Sequence, residues 1–206
     1  MFKFFNIETF KYFITHMSTM LLNNKTNEIL IEFSSDYNRR IYGRDIAKKL
    51  KMNQKTASNI LNKLEKENIL KFSKEGKNKY YFLNKFNPQI KEIIKLIEIN
   101  HKVKFLEKYK RLKELFDKLE QRTQGVLIVF GSYAGFSANE KSDLDIFVLG
   151  KITDTEDLEQ IYNIKINLIK SNKEKFNKQD NFVKEIIKNH IILKGLEDFI
   201  ELIWQA

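Results

Sequence analysis

Five consecutive apolar residues, Val126-Leu127-Ile128-Val129-Phe130, run straight into Gly131-Ser132, and this junction constrains the fold more than any other stretch of the chain. An apolar run of that length without alternation reads as a strand buried on both faces, and the glycine closes it with a tight turn. Ten residues after Ser132, the segment Ser142-Asp143-Leu144-Asp145-Ile146-Phe147-Val148 changes to a period of two. That period puts Asp143 and Asp145 on one face of a strand, with their carboxylates about 7 Å apart. Two like charges so placed repel by roughly 2 kcal/mol at an effective dielectric near 20. A bridging cation removes the cost, and Mg²⁺ (or Mn²⁺) suits the task because it takes one or two carboxylates together with phosphate oxygens and water.

Composition narrows the remaining choices. The 206 residues have room for one medium domain or two small ones, and 42% apolar residues supply real cores. There are no cysteines, so disulfides and thiolate metal sites are excluded and any metal must be held by oxygen or by the three histidines. Asn6, Glu8 and Lys11 interrupt the apolar start before a signal core accumulates, so a cytoplasmic protein with no membrane segment is expected. The net charge of +10 is unevenly spread: residues 25–87 carry fifteen Lys and Arg against seven acids, whereas residues 123–206 carry ten against thirteen. Such asymmetry is the footprint of a polyanion-binding module joined to a module with another task.

Spacing predicts a leading helix over 8–22, then helices at Thr26 to Phe33, Gly43 to Leu50 and Asn53 to Glu67, the last capped by Asn53. Strand-like runs from Ile69 to Ser73 and Lys79 to Leu83 flank a turn in which Gly76 or Asn78 takes a positive φ. Over residues 26–84 this order resembles the winged helix-turn-helix family of DNA-binding domains. In its third helix Ala57, Ile60, Leu61 and Leu64 face inward, leaving Gln54, Lys55, Ser58, Asn59, Asn62 and Lys63 outward. Amides there suit adenine edges in the major groove of double-stranded DNA, lysines suit phosphates, and Lys74, Lys77 and Lys79 on the wing add backbone contacts. A solvated helix in a protein-binding winged helix is the plainer alternative.

Pro88 opens a third region, where Ile90, Ile94, Ile97, His101, Phe105, Tyr109, Leu112, Phe116 and Leu119 recur in steps of three and four. One helix of that length would extend about 45 Å as a spacer. Its stripe must bury against the neighbouring domains or against a second copy, so a homodimer is expected; His101 reads as an interface residue and not a ligand. The expected divisions are a winged-helix domain over 1–87, a helical connector over 88–122 and a third domain over 123–206.

Residues 124–172, with Gly131, Ser132, Asp143 and Asp145 in place, resemble the DNA polymerase beta-type nucleotidyltransferase superfamily, and most nearly its minimal members fused to a winged helix of archaeal type. The resemblance implies an α/β (α+β) chain whose third domain is a mixed sheet with helices. It implies that Gly131 and Ser132, with Ser142, bind the phosphates of a nucleoside triphosphate. Asp143 and Asp145 would be the catalytic metal ligands in in-line nucleotidyl transfer. Family members place a third carboxylate on a later strand; here Ile164 to Ile169 offers Lys165 and Asn167, with Asn167 where the acid is expected, and Asp154, Asp157 or Glu159 as substitutes. An amide brings no charge and cannot act as a base. Three roles therefore stand open: an active transferase, a transcriptional regulator with a degenerate nucleotide-sensing domain, and an antitoxin-like partner of a separate protein. Helical spacing is expected over Lys173 to Phe176, Asn181 to His190 and Leu196 to Trp204, with Trp204 a packing anchor and His190 structural.

Overall fold

The computed structural model describes residues 23–34 and 36–204 of a mixed α/β chain with two sheets; the leading helix expected over 8–22 lies outside them. The described residues form two compact units, one made of 23–33 with Asn38–Ile90, the other of 34, 36 and 37 with Lys91–Trp204.

In the first unit, α1 (Asn24–Ile31) starts where the Asn23 side chain accepts from the Thr26 amide, and α2 (Gly43–Lys49) follows a two-residue strand, β1 (Ile41–Tyr42). Helix α3 (Gln54–Lys66) is capped by Asn53, whose side chain accepts from the Lys55 amide at 2.8 Å. Ala57, Leu61 and Leu64 lie on its buried face, as their spacing requires, with Ile60 half-buried. β2 (Leu70–Glu75) and β3 (Asn78–Leu83) form an antiparallel hairpin in which Glu75 pairs with Asn78, and Gly76 takes the positive φ of the turn at +60°. β1 adds to the free side of β3, giving the order β1-β3-β2.

The second unit begins with α4 (Lys91 onward in Ile90–Lys108), a short 3₁₀ turn at Lys110–Leu112, and α5 (Lys113–Arg122). The expected single spacer helix is thus two helices. The bend between them allows the rings of Phe105 and Phe116 to meet at 4.9 Å, and Phe105, Leu115, Phe116 and Leu119 are all buried in the core beneath the sheet. Ile90, Ile94, Ile97, Phe105, Phe116 and Leu119 of the expected stripe are buried within the single chain, and Tyr109 and Leu112 are half-buried.

The sheet of this unit has four strands, β4 (Thr123–Phe130), β5 (Leu144–Ile152), β6 (Ile166–Ser171) and β7 (His190–Lys194), in the order β6-β5-β4-β7. β4 and β5 are antiparallel, and Val126 to Val129 are fully buried, so the run is covered on both faces as expected. β5 runs parallel to β6, connected through α7 (Glu156–Tyr162). Leu127, Val129, Leu144 and Ile146 face one core; Val126, Ile128, Phe147 and Leu149 face a second. α8 (Asn181–Lys188) is capped by Asp180, and α9 (Leu196–Trp204) completes the unit.

Two expectations are corrected here. Lys173 to Phe176 is a turn and not a helix. The helix expected to reach His190 stops at Lys188, and His190–Lys194 is a strand, β7, antiparallel to β4. Its first four residues are buried, so it shows no alternation, and the helical spacing of Phe182 and Ile186 runs on into Ile191 by coincidence. No helix among the described residues is long and apolar enough to cross a membrane.

Candidate functional site

β4 ends in the turn expected from Gly131. That residue has φ +67°, a conformation L side chains rarely adopt, and a Cβ on it would overlap the Oδ2 of Asp145. A single helical turn, α6 (Gly131–Ala134), follows. The carbonyl of Ser132 accepts from the Ser137 and Ala138 amides at 3.0 and 3.1 Å, folding the next residues back over the turn. The hydroxyl of Ser132 makes no hydrogen bond among the described residues and is half-buried. Ser142 is engaged locally: its Oγ accepts from the Asn139 amide at 3.0 Å.

Asp143 and Asp145 sit at the start of β5 and turn to the same point. The side-chain nitrogen of Asn167 donates to Asp145 Oδ1 at 2.9 Å and faces Asp143 Oδ2 at 3.4 Å. Asn167 is the register partner of Asp145 across the parallel β5-β6 pair. Two residues earlier, on the same face, Lys165 places its Nζ 3.2 Å from Asp143 Oδ2. The repulsion expected between the aspartates is therefore relieved by an amide donor and an ammonium group from the neighbouring strand.

None of the three substitute acids converges on this point. Asp157 makes a two-pronged pair with Arg122 at 2.5 and 2.6 Å, Asp154 Oδ1 caps the Glu156 amide, and Glu159 Oε1 accepts from the Ile166 amide at 2.5 Å. Arg122 holds the Asp157 carboxyl below its usual range. Among the described residues no group of three His, Cys, Asp or Glu side chains gathers as a metal cage. The groups gathered at this point are thus two carboxylates, Asp143 and Asp145, and the neutral Asn167 amide.

The fold adds two features that spacing did not point to. Asn189 Nδ2 donates to the Gly131 carbonyl at 3.0 Å and so pins the glycine turn from the far end of α8. Behind the turn lies a buried polar cluster. Glu98 on α4 is 2% exposed, with Oε2 3.5 Å from His190 Nε2 and 4.0 Å from His101 Nδ1, while Tyr37 donates to Oε1 at 3.1 Å. His190 lies opposite Phe130 in the β4-β7 register, and the His101 ring stacks on Phe136 at 5.6 Å. Burial alone would push Glu98 up, but the facing His190 brings it below its ordinary range. Burial would lower His190, yet the Glu98 carboxylate lifts it above the usual value. His101 is pushed down to about 4, chiefly by burial.

In the first unit, Gln54, Lys55, Ser58, Asn59 and Lys63 are exposed on α3, as are Lys74 and Lys77 on the hairpin, with Lys79 half-buried. Asn62 is partly committed, its Oδ1 accepting from the Tyr81 hydroxyl at 3.0 Å. A cleft of about 200 Å³ is lined by Tyr42, Arg44, Gln54, Ser58, Lys79 and Tyr81, among others. Arg44, which α3 spacing could not single out, lies 5.8 Å over the Tyr42 ring.

The second unit is therefore a mixed α/β unit with a glycine turn facing paired aspartates. Residues 109–200 match the family model of the nucleotidyltransferase domain. No curated protein matches the chain. A solved structure described as the crystal structure of the toxin-antitoxin with AMP-PNP is similar over 50% of this chain and 78% of its own, at 18% identity and a TM-score of 0.33.

Proposed function

We propose that the second unit binds a nucleoside triphosphate with one divalent cation at the Gly131-Ser132 turn and carries out slow nucleotidyl transfer. The first unit, in this reading, is a winged helix that brings the site to double-stranded DNA. The observation that carries it is the meeting of Asp143 and Asp145 at one point beside a left-handed glycine turn, where a side chain would have to displace the Asp145 carboxylate.

Each residue has a task that its chemistry suits. Gly131 leaves backbone bare for a phosphate to approach, and the unengaged Ser132 hydroxyl offers a donor to a phosphate oxygen. Asn189 keeps the turn in shape by holding the Gly131 carbonyl. Asp143 and Asp145 would hold the cation, which when bound neutralises phosphate charge and sharpens an acceptor hydroxyl as a nucleophile. Asn167 cannot take the proton from that hydroxyl, because an amide has no basic lone pair at neutral pH. The register of Asn167 on Asp145 therefore favours a second reading, a nucleotide sensor that has lost most of its transfer rate.

For the first unit, the surplus of basic residues over 25–87 and the exposed amide and lysine groups of α3 support contact with a phosphate backbone and base edges. Arg44 and Lys79, on the walls of one cleft, suit a single phosphate of that backbone.

Incubation of the chain with each of the four α-labelled nucleoside triphosphates and Mg²⁺ tests the transfer step. Label transferred to the chain, to DNA or to an added lysate acceptor, and lost in Asp143→Asn, is the expected result. Binding of nucleotide with no label transferred from any of the four selects the sensor; absence of both overturns the reading.

A further inference from the structure

We propose that Lys165 is a built-in second cation of the aspartate site: it neutralises Asp143 in the empty site and passes to the triphosphate when a nucleotide arrives with a single divalent ion. The proposal rests on the nucleotide-binding reading above and specifies how the site balances its charge.

Three observations carry it. The backbone of Lys165 is fixed beside the aspartates, since its carbonyl accepts from the Leu144 amide at 2.8 Å and the parallel register continues from it through Ile166-Leu144 and Asn167-Asp145. Its side chain is nevertheless 68% exposed, so the ammonium group sits on Asp143 without being packed there. An exposed pair of this kind is weak and exchanges partners readily. Finally, the register partner of Asp145 on the neighbouring strand is the neutral Asn167, whose amide nitrogen is turned toward both carboxylates.

The charge arithmetic of the site follows. Two carboxylates facing one divalent cation leave no net charge to set against a triphosphate, and nothing acidic remains to recruit another divalent ion. Lys165 supplies the missing positive charge from the protein itself. Its four-carbon stem allows the ammonium group to leave Asp143 for a phosphate oxygen while the strand stays in place. No bond is made or broken in this exchange. The cation on the strand edge changes one oxygen partner for another.

Counting bound Mn²⁺ by electron paramagnetic resonance, with and without saturating ATP, tests the assignment on the whole chain. The wild type is expected to hold one Mn²⁺ per chain in the presence of ATP, and Asn167→Asp to hold two. Without nucleotide, Lys165→Ala is expected to bind Mn²⁺ up to about fivefold more tightly, because the ion no longer displaces an internal cation. The same variant should bind ATP more weakly at fixed Mn²⁺, with Lys165→Arg restoring most of the affinity. Two Mn²⁺ ions on the wild-type chain, or an unchanged Mn²⁺ affinity in Lys165→Ala, would overturn the proposal while leaving nucleotide binding intact. Failure of the wild type to bind ATP at all would instead remove the underlying reading, and this inference with it.

Discussion

The Asp145 carboxylate fills the space a side chain at Gly131 would need: a Cβ there would come within 2.3 Å of its Oδ2, and the backbone at Gly131 is left-handed at +67°. The turn and the acid are thus one structural unit. Gly131→Ala should cost about 1–3 kcal/mol of stability from the backbone conformation alone. It should also displace the Asp145 carboxylate and abolish ATP binding. Urea unfolding paired with nucleotide titration checks both; a stable variant with unchanged affinity would show that the turn and the acid act separately.

Asn189 holds the carbonyl of that glycine from 58 residues away. Its removal in Asn189→Ala breaks one half-buried hydrogen bond and should cost about 1 kcal/mol in global stability. The loss in nucleotide affinity should be proportionally larger, since the turn is what loosens. Equal losses in both measurements would make Asn189 an ordinary structural residue.

The buried Glu98-His190 pair sets a pH signature. His190 is raised, so its contribution is whole below about 6.5 and fades as pH climbs through its raised value. Glu98 is lowered, so its contribution is whole above the ordinary carboxylate range and fades as pH falls through its lowered value. His101, pushed down from 6.5 to about 4, works against the fold: in that window the unfolded chain takes up a proton the folded chain refuses. Stability should therefore fall as pH drops from 6.5 to 4, and His101→Phe, which keeps a ring against Phe136, should flatten that slope. His190→Ala leaves a buried carboxylate unpaired and should cost about 3–5 kcal/mol. Denaturant midpoints between pH 4 and pH 9 measure all three effects.

The strand, turn and acid pair were readable in the sequence because each is a local pattern: an apolar run, a glycine, and a period of two over Asp143 to Phe147. The α3 face was readable for the same reason. β7 was not, because a short strand buried on both faces carries no alternation and the preceding helical spacing runs into it. The break between α4 and α5 was hidden too. Neither proline nor glycine marks Tyr109 to Leu112, and only the packing of Phe105 on Phe116 requires the bend. No expectation covered α7, although Glu156, Asp157 and Glu159 suit the first turn of a helix. Asn189 and Glu98 act across long sequence separations, which no local pattern reports.

Contact with DNA makes a separate prediction for the first unit. Affinity for duplex should fall steeply with salt, and Lys77→Ala should reduce the slope by about one ion while weakening all sequences alike. Asn59→Ala should relax preference at one base pair by about 1–3 kcal/mol. Footprinting across a salt series reads both, and salt-independent or absent binding would leave α3 as a solvated or protein-facing helix.

The claim that all else depends on is that Asp143 and Asp145 hold a metal-bound triphosphate beside Gly131. Equilibrium titration of MgATP into the wild type and into the Asp143→Asn, Asp145→Asn double variant tests it most directly. Saturable binding by the wild type that requires Mg²⁺ and disappears in the double variant is the predicted result. Equal affinity in the two proteins, or wild-type binding indifferent to Mg²⁺, would contradict it.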